Sequence, residues 1–328
     1  MDKKQYRQKT FVDPACTRLK KWEGVDSLWR STGRRFTYYG LTLLFSILSA
    51  TAHGSTLERP LPKSPVPENP KRIVSLAPNI TELIFALGRG GNLVGVTRHC
   101  DFPPEARNLP SVGSYVHLDL ERIAALRPDL CLAVKDGNPK ATVLRLESLG
   151  IPVYAMDPKN LDEVLRTVQE LGELIGAARE AERLLKDATE RISAVDKALS
   201  GIDRRPGVFF QIGGSPIVSA GSGTLIDDII VRAGGRNLAA GPARYPKFSR
   251  EEVIALEPEV LFVTSMSGQS ESRRALKQWF HWNSMPAARE ERIFLVDPNL
   301  FHRGTLRLLN GLEILAELIH PERFKALR

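Results

Sequence analysis

Cysteine, tryptophan and methionine are scarce in this chain of 328 residues, which contains three Cys, four Trp and four Met. Only Cys100 and Cys131 follow residue 52. Two cysteines in a body of this size exclude a disulfide scaffold. An oxidising compartment would permit a bridge between them, whereas the apolar run around Cys131 is typical of a cysteine that packs as a small hydrophobe. Whether they pair stays open at this point.

A hydrophobic run long enough to cross a membrane is also missing from the N-terminal region. The apolar run Leu41–Leu48 is far shorter than the roughly 20 residues that a spanning helix needs. It follows Arg34-Arg35 and precedes Ala50-Thr51-Ala52, an order typical of a secretory signal peptide. We predict that residues 1–52 are an N-terminal extension and cleaved signal peptide. No cysteine stands directly after the run, where a lipid anchor would be attached, so we expect a periplasmic protein without a lipid anchor or an integral membrane segment.

The rest of the chain has little net charge. Ten Lys or Arg and four acids in residues 1–52 supply +6 of the net +8, so residues 53–328 carry only +2. A nearly neutral body lacks the clustered basic face of a nucleic-acid-binding protein. Residues 53–71 are rich in proline and predict an extended linker.

Motifs of common enzyme classes are missing as well. The chain has no G-x-x-x-x-G-K-S/T phosphate loop, and Gly88-Arg89-Gly90-Gly91 lacks the full dinucleotide-binding spacing. We therefore expect a protein that is not an enzyme and has no catalytic cofactor.

Strand and helix patterns alternate through the body, which predicts α/β architecture with mainly parallel central sheets. Residues 72–175 hold one alternating set and residues 201–328 a second, and we predict an α/β lobe for each. Between them the apolar residues from Ala181 to Leu199 step by three and four, which predicts one long, rigid connecting helix over 176–200.

The two sets also resemble each other in sequence. L-E-R-I-A-A-L-R-P-D-L (Leu120–Leu130) matches R-E-E-V-I-A-L-E-P-E-V (Arg250–Val260) at an offset of 130 residues. Two similar lobes joined by one helix leave a cleft between them, where ligands commonly bind. The carboxyl ends of the strands are expected to line it.

An acid recurs at the same place in both repeats. Asp119 and Ser249 precede the predicted helices and are suited to capping them, so Glu121 and Glu251 fall in the first turns. Acids there stabilise a helix by about 0.3–1 kcal/mol, which is the simple explanation. Their recurrence favours a second role, in which two matched acids contact arginines of a two-fold symmetric partner.

Several segments, in order, resemble the metal-chelate class of ABC-transporter substrate-binding proteins. They are R-I-V-S-L-A-P-N-I-T-E-L-I-F-A-L-G (Arg72–Gly88), V-G-S-Y (Val112–Tyr115), the two repeats, G-N-P (Gly137–Pro139) and V-D-P-N-L-F-H-R-G-T-L-R (Val296–Arg307). The resemblance implies two lobes on a rigid helical hinge, a metal chelate between them, and delivery to a permease dimer with its ATPase subunits. It implies docking through Glu121 and Glu251, as in the cobalamin binders of the class, and cobalamin as the favoured ligand.

The resemblance and the strand-end positions suggest ligand contacts. Tyr115 and Tyr245 suit the faces of a broad apolar disc. Cobalamin binders of the class carry Trp where this chain has Val134 and Ala155, and Trp279 and Trp282 fall outside the matched loops and are expected to pack. The predicted ligand contacts are Pro78, Asn79, Tyr115, Gly137, Asn138, Tyr245, Asn299 and Phe301.

Metal ligation and other chelates remain open in the sequence. His117 and His302 are weak candidates for an axial ligand to cobalt or haem iron, because neutral imidazole binds such metals. Haem is an alternative ligand. A ferric siderophore is another, for which Arg98, Arg244 and Arg303 are the candidate contacts.

Overall fold

The structure, a computed structural model, describes residues 65–214, 216–264 and 269–324. The predicted signal peptide and most of the predicted linker lie outside these ranges. In the described part of the chain, no helix combines the length and apolar character needed to span a membrane.

The first sheet is entirely parallel, with strand order β2-β1-β3-β4. Its strands are short. They are apolar on both faces, because helices cover the sheet on both sides and bury its side chains. Helices α2 and α3 cover one face, and α1 covers the other. We call this part the first lobe. Its elements are β1 (Ile73–Ser75), α1 (Pro78–Ala86), β2 (Leu93–Val96), α2 (Leu120–Ala125), β3 (Leu130–Val134), α3 (Lys140–Ser148) and β4 (Val153–Met156).

The second sheet is mixed, with order β10-β9-β5-β6-β8 and with β7 paired to β5. Strands β10, β9, β5 and β7 are parallel, whereas β6 and β8 add an antiparallel edge. β6 follows β5 after two residues, too few for the crossover that a parallel neighbour needs. This part is the second lobe. Its elements are β5 (Gly207–Gly214), β6 (Ile217–Ser219), α6 (Leu225–Arg232), β7 (Arg236–Asn237), β8 (Lys247–Phe248), α7 (Arg250–Ala255), β9 (Val260–Val263), α8 (Gln269–Trp279), α9 (Pro286–Arg289), β10 (Ile293–Leu295), α10 (Leu308–Ile319) and α11 (Pro321–Phe324).

Two helices, α4 (Leu161–Leu174) and α5 (Ala178–Ala198), join the lobes. The chain turns between them at Gly176, whose φ of 69° favours glycine. Both helices contribute to both cores. Leu161 of α4 and Val195 of α5 pack with the second sheet, whereas Leu171 of α4 and Ala181 of α5 pack with the first.

This pairing modifies the expected hinge. Helix α5 lies within the segment 176–200 that we predicted to connect the lobes, but α4 runs alongside it and also contributes to both cores. Arg191 of α5 further binds Glu313 of α10, with an Nε–Oε1 distance of 2.8 Å. The lobes are thus joined by a packed helical pair, which resists bending more than one helix would.

Among the residues that the structure describes, Cys100 and Cys131 are both buried and form no disulfide. Burial raises the pKa of the Cys131 thiol to about 12, so it packs as a neutral apolar group. Trp279 is buried as expected, and its Nε1 donates to Gln211 Oε1 at 2.6 Å. Trp282 differs from the expectation, because it keeps 36% of its surface exposed after the end of α8.

Candidate ligand-binding cleft

A cavity of about 370 Å³ lies between the lobes, where the parallel strands of the first sheet end. Loops after β1, β3 and β4 form its first-lobe wall, and the segments before α6, before β8 and after β10 form the wall opposite. Strand carboxyl ends commonly meet at a ligand site in α/β folds. The lining residues of the first lobe are Ala77, Pro78, Asn79, His99, Tyr115, Val134, Asp136, Gly137, Asp157, Pro158 and Lys159. Those of the second are Thr224, Leu225, Ile226, Arg244, Tyr245, Phe301, His302, Arg303 and Gly304.

Two half-exposed tyrosines, one from each lobe, stand at this cavity. Tyr115 is 41% and Tyr245 55% exposed, although large aromatic side chains are usually well buried. Phe301 lies deeper, packed against Phe210 of the second core with 5.2 Å between ring centroids. The two phenol rings belong to opposite lobes, and the guanidinium carbon of Arg244 lies over the Tyr245 ring, 5.7 Å from its centre. Exposed aromatic side chains at a cavity can cover a planar ligand.

The loop that carries Tyr115 is held from below by Asn138. The Asn138 Nδ2 atom donates to Tyr115 O at 2.7 Å and to Leu76 O at 2.9 Å, and its Oδ1 accepts from Val134 N at 2.8 Å. The buried amide is thus committed to backbone groups. Gly137 lets the Tyr115 ring lie close, because a Cβ at that position would come within 2.9 Å of it.

The structure therefore separates the predicted ligand contacts into two groups. Pro78, Asn79, Tyr115, Gly137, Tyr245, Phe301 and His302 line the cavity, and Asn138, Asn299 and His117 do not. Asn138 shapes the wall from behind. The Asn299 amide donates to Asp297 Oδ1 at 2.9 Å, and His117 is exposed outside the cavity. Direct ligand contact by any of these residues remains a prediction.

A cluster of charges spans the cavity mouth. Asp136 of the first lobe accepts a hydrogen bond from Lys159 and another from Arg244 Nη1 of the second lobe, the latter at 2.6 Å. Lys159 also pairs with Asp157. Hydrogen bonds from Lys159 and then Arg244 hold the pKa of the Asp136 carboxyl below its usual value. The two acids and two bases of this mouth cluster balance in charge.

The family is established by sequence. The sequence model of the family described as periplasmic binding protein matches residues 73–300. The chain belongs to that family. The resemblance predicted from the ordered motifs is thereby confirmed, and so is the fold of two α/β lobes with a cleft.

Three known proteins show what this periplasmic binding protein is similar to. A vitamin B12-binding protein of Vibrio parahaemolyticus is 32% identical over 244 residues, which are 74% of this chain and 86% of that protein. The crystal structure of the periplasmic vitamin B12 binding protein of Vibrio cholerae has a TM-score of 0.70 at 26% identity, covering 79% of this chain and 100% of that one. A periplasmic heme binding protein from Pseudomonas aeruginosa has a TM-score of 0.70 at 31% identity, covering 77% and 93%.

In this periplasmic binding protein, His302 is a partly buried side chain at the cavity wall. Desolvation lowers the pKa of its imidazole to about 4, although the charge of Asp297 opposes the shift. The Nε2 atom is buried and has no hydrogen-bond partner among the residues that the structure describes. Axial ligation of a metal by His302 stays a prediction.

Glu121 and Glu251 occupy matching places on the two lobes. Each is exposed in the first turn of its helix, α2 or α7. Their neighbours cap the helices, since Asp119 Oδ1 accepts from Arg122 N at 2.9 Å and Ser249 forms a capping box with Glu252. Neither glutamate supplies these capping bonds, and both residues are exposed.

Two charged features of the cleft were missed in the sequence. The first is the mouth cluster, in which Asp136 follows strand β3 and Asp157 and Lys159 follow strand β4. Charged residues at the carboxyl ends of parallel strands are expected at a ligand site, so their positions in the sequence were a usable signal. Glu82 on α1 pairs with Arg303 beneath the cavity. Its signal was the lone charged residue of the P-N-I-T-E-L-I-F-A segment, placed next to the apolar run Leu83–Ala86.

Proposed function

We propose that this protein captures a corrinoid, cobalamin, in the cleft and delivers it to an ABC importer. The observation that carries the proposal is a cavity flanked by Tyr115 and Tyr245 in a chain that is 32% identical to a vitamin B12-binding protein. A corrin ring is a broad apolar disc with amide-bearing edges. Two opposed aromatic faces can cover such a disc, while polar groups at the mouth orient its edges.

The charge balance of the cleft supports a ligand of this kind over an anionic chelate. Asp136 and Asp157 offset Lys159 and Arg244 at the mouth, and Arg303 is already paired with Glu82. An anionic ligand would have to displace an acid from one of these bases. A neutral edge rich in amides can donate and accept hydrogen bonds without leaving an unpaired charge.

Haem is the second candidate, because one observation favours it. The heme-binding structure of Pseudomonas aeruginosa has the same TM-score as the B12-binding one and a higher identity, 31% against 26%. The Tyr115 phenol at the cavity would be a candidate iron ligand in that case, with His302 of the cavity wall as the imidazole alternative.

Calorimetric titration of the purified protein with cyanocobalamin, with hemin in parallel, tests the ligand. We expect one cyanocobalamin per protein at nanomolar to low micromolar affinity. Absence of cyanocobalamin binding together with a Soret shift on hemin addition would replace cobalamin with haem and leave the fold unaffected.

Docking on the permease dimer through Glu121 and Glu251 is the second half of the proposal, with the ATPase subunits driving release. Export through the predicted signal peptide would bring the protein to the periplasmic face of that permease. The test is cobalamin uptake by cells that carry Glu121→Arg with Glu251→Arg. We expect uptake to be lost while ligand affinity is unchanged, and uptake at the wild-type rate would refute the docking role.

A further inference from the structure

A buried ion pair joins the lobes beneath the cavity. Glu82 belongs to α1 of the first lobe, and Arg303 follows β10 in the second. The Arg303 Nη1 atom donates to Glu82 Oε1 at 2.6 Å, and Arg307 Nη1 lies 3.6 Å from the same oxygen. The side chains of Glu82 and Arg303 are 3% and 11% exposed. We call these three residues the floor cluster.

The same arginine is held by further groups of the first lobe. Arg303 Nη1 also donates to Asp101 Oδ1 at 3.1 Å, and Nη2 lies 3.4 Å from His99 O. Close by, the Arg307 guanidinium carbon stands 4.5 Å from the centre of the Phe102 ring. One segment of the second lobe is therefore fastened to two segments of the first.

Arg303 also lines the ligand cavity. Its guanidinium thus contacts Glu82 on one side and borders the ligand space on the other. A flexible arginine side chain has many rotamers, and a fixed partner limits them. Glu82 is that partner, since its carboxylate is the least exposed group that Arg303 binds.

Stability alone does not explain a buried pair of this kind. Taking two charges out of water offsets much of their attraction, and well-packed apolar residues are often as stable. Desolvation does raise the pKa of the Glu82 carboxyl above its usual value, although Arg303 and Arg307 oppose that shift. Because the charged pair is retained despite this desolvation, we look for a geometric role for Glu82.

We infer that Glu82 is a positioning residue for ligand capture: it fixes Arg303 at the cavity wall and holds the two lobes at the separation that binds ligand. Its effect on ligand affinity rests on the proposed function, whereas its effect on lobe separation does not. Spreading the lobes separates Glu82 from Arg303, so the arginine loses its fixed orientation as the cavity opens. Opening and ligand release are coupled through this pair.

The test measures lobe separation without any ligand. Spin labels at Arg145→Cys on α3 and Arg289→Cys on α9 report the distance between lobes by double electron–electron resonance. Both labelled sites are exposed, and the native cysteines of the described residues are buried. The test variant is Glu82→Gln. The matched control is Asp101→Asn, which removes the more exposed carboxylate that binds the same guanidinium.

We expect a broader or longer distance distribution in Glu82→Gln and a wild-type distribution in Asp101→Asn. Cyanocobalamin affinity should fall about tenfold in the first and stay near the wild-type value in the second. Should Glu82→Gln fail to fold, Glu82→Asp keeps the charge but shortens its reach, and the same broadening is expected.

Unchanged distances in folded Glu82→Gln would overturn the inference, and so would broadened distances with undiminished affinity. If no variant and no wild-type protein binds cyanocobalamin or hemin, the proposed function fails. The distance measurement still decides the structural role of Glu82 in that case.

Discussion

The mouth cluster and the floor cluster both join the lobes by an arginine–carboxylate pair, yet they differ in burial. Asp136 and Arg244 at the mouth are 55% and 40% exposed, whereas Glu82 and Arg303 at the floor are 3% and 11% exposed. Exposed pairs are screened by water and salt, so they contribute little. A buried carboxylate left without its partner is costly. Both pairs join an arginine to a carboxylate, so it is the greater burial of Glu82 and Arg303 that makes their contact the stronger link between the lobes.

The largest effect on stability is expected when the carboxylate of the floor cluster is removed. Glu82→Ala leaves Arg303 and Arg307 without their buried partner, and we expect a loss of roughly 3–5 kcal/mol in the free energy of unfolding. Urea denaturation at neutral pH measures it. A loss near that of an ordinary surface substitution would contradict the role assigned to the floor cluster.

The next largest effect is expected at acidic pH, which should lower the free energy of unfolding through His302. Its folded-state pKa of about 4 lies below its unfolded value of 6.5, so the unfolded chain binds the proton more readily. Stability from the neutral ring is therefore present above pH 6.5 and is lost as the pH falls toward 4, by roughly 3 kcal/mol. The raised pKa of Glu82 acts in the opposite direction, because the folded protein then takes up that proton more readily.

The measurement is the free energy of unfolding between pH 7 and 4 for the wild type and for His302→Gln, with their difference isolating the imidazole. We expect the difference between the two proteins to shrink as the pH falls. A difference that does not change with pH would show that His302 is not buried in its neutral form.

The smallest effect is expected at the mouth. Asp136→Asn removes an exposed partner of Lys159 and Arg244, and we expect at most about 1 kcal/mol, decreasing with added salt. Because the pKa of this carboxyl is lowered, its contribution is present above its unfolded value of 3.8 and is lost below it. Thermal unfolding at low and high salt measures it. A loss as large as that of Glu82→Ala would abolish the distinction between the two clusters.

Much of the fold could be predicted from the sequence, because apolar periodicity reports burial directly. Both repeated helices begin where Asp119 and Ser249 predicted. Strands β6 to β8 have only two or three residues each, and segments this short show no period in the sequence. The turn at Gly176 separates α4 from α5, but an isolated glycine in a helical pattern does not show that α4 crosses both lobes.

The candidate site was less predictable, because position in a loop does not determine where a side chain points. Asn138 was correctly placed at a strand end, yet its amide holds backbone groups below the wall. Glu82 was overlooked because its partner Arg303 lies 221 residues away in the chain. Contacts between lobes of this kind are set by tertiary structure, which periodicity does not describe.

The most direct test of the account is calorimetric titration of the wild type and of Tyr115→Ala with Tyr245→Ala, using cyanocobalamin. We expect one-to-one binding by the wild type and a loss of affinity of at least about tenfold in the double variant, since both aromatic side chains are removed. Undiminished binding by the double variant, or no binding by the wild type, would contradict it.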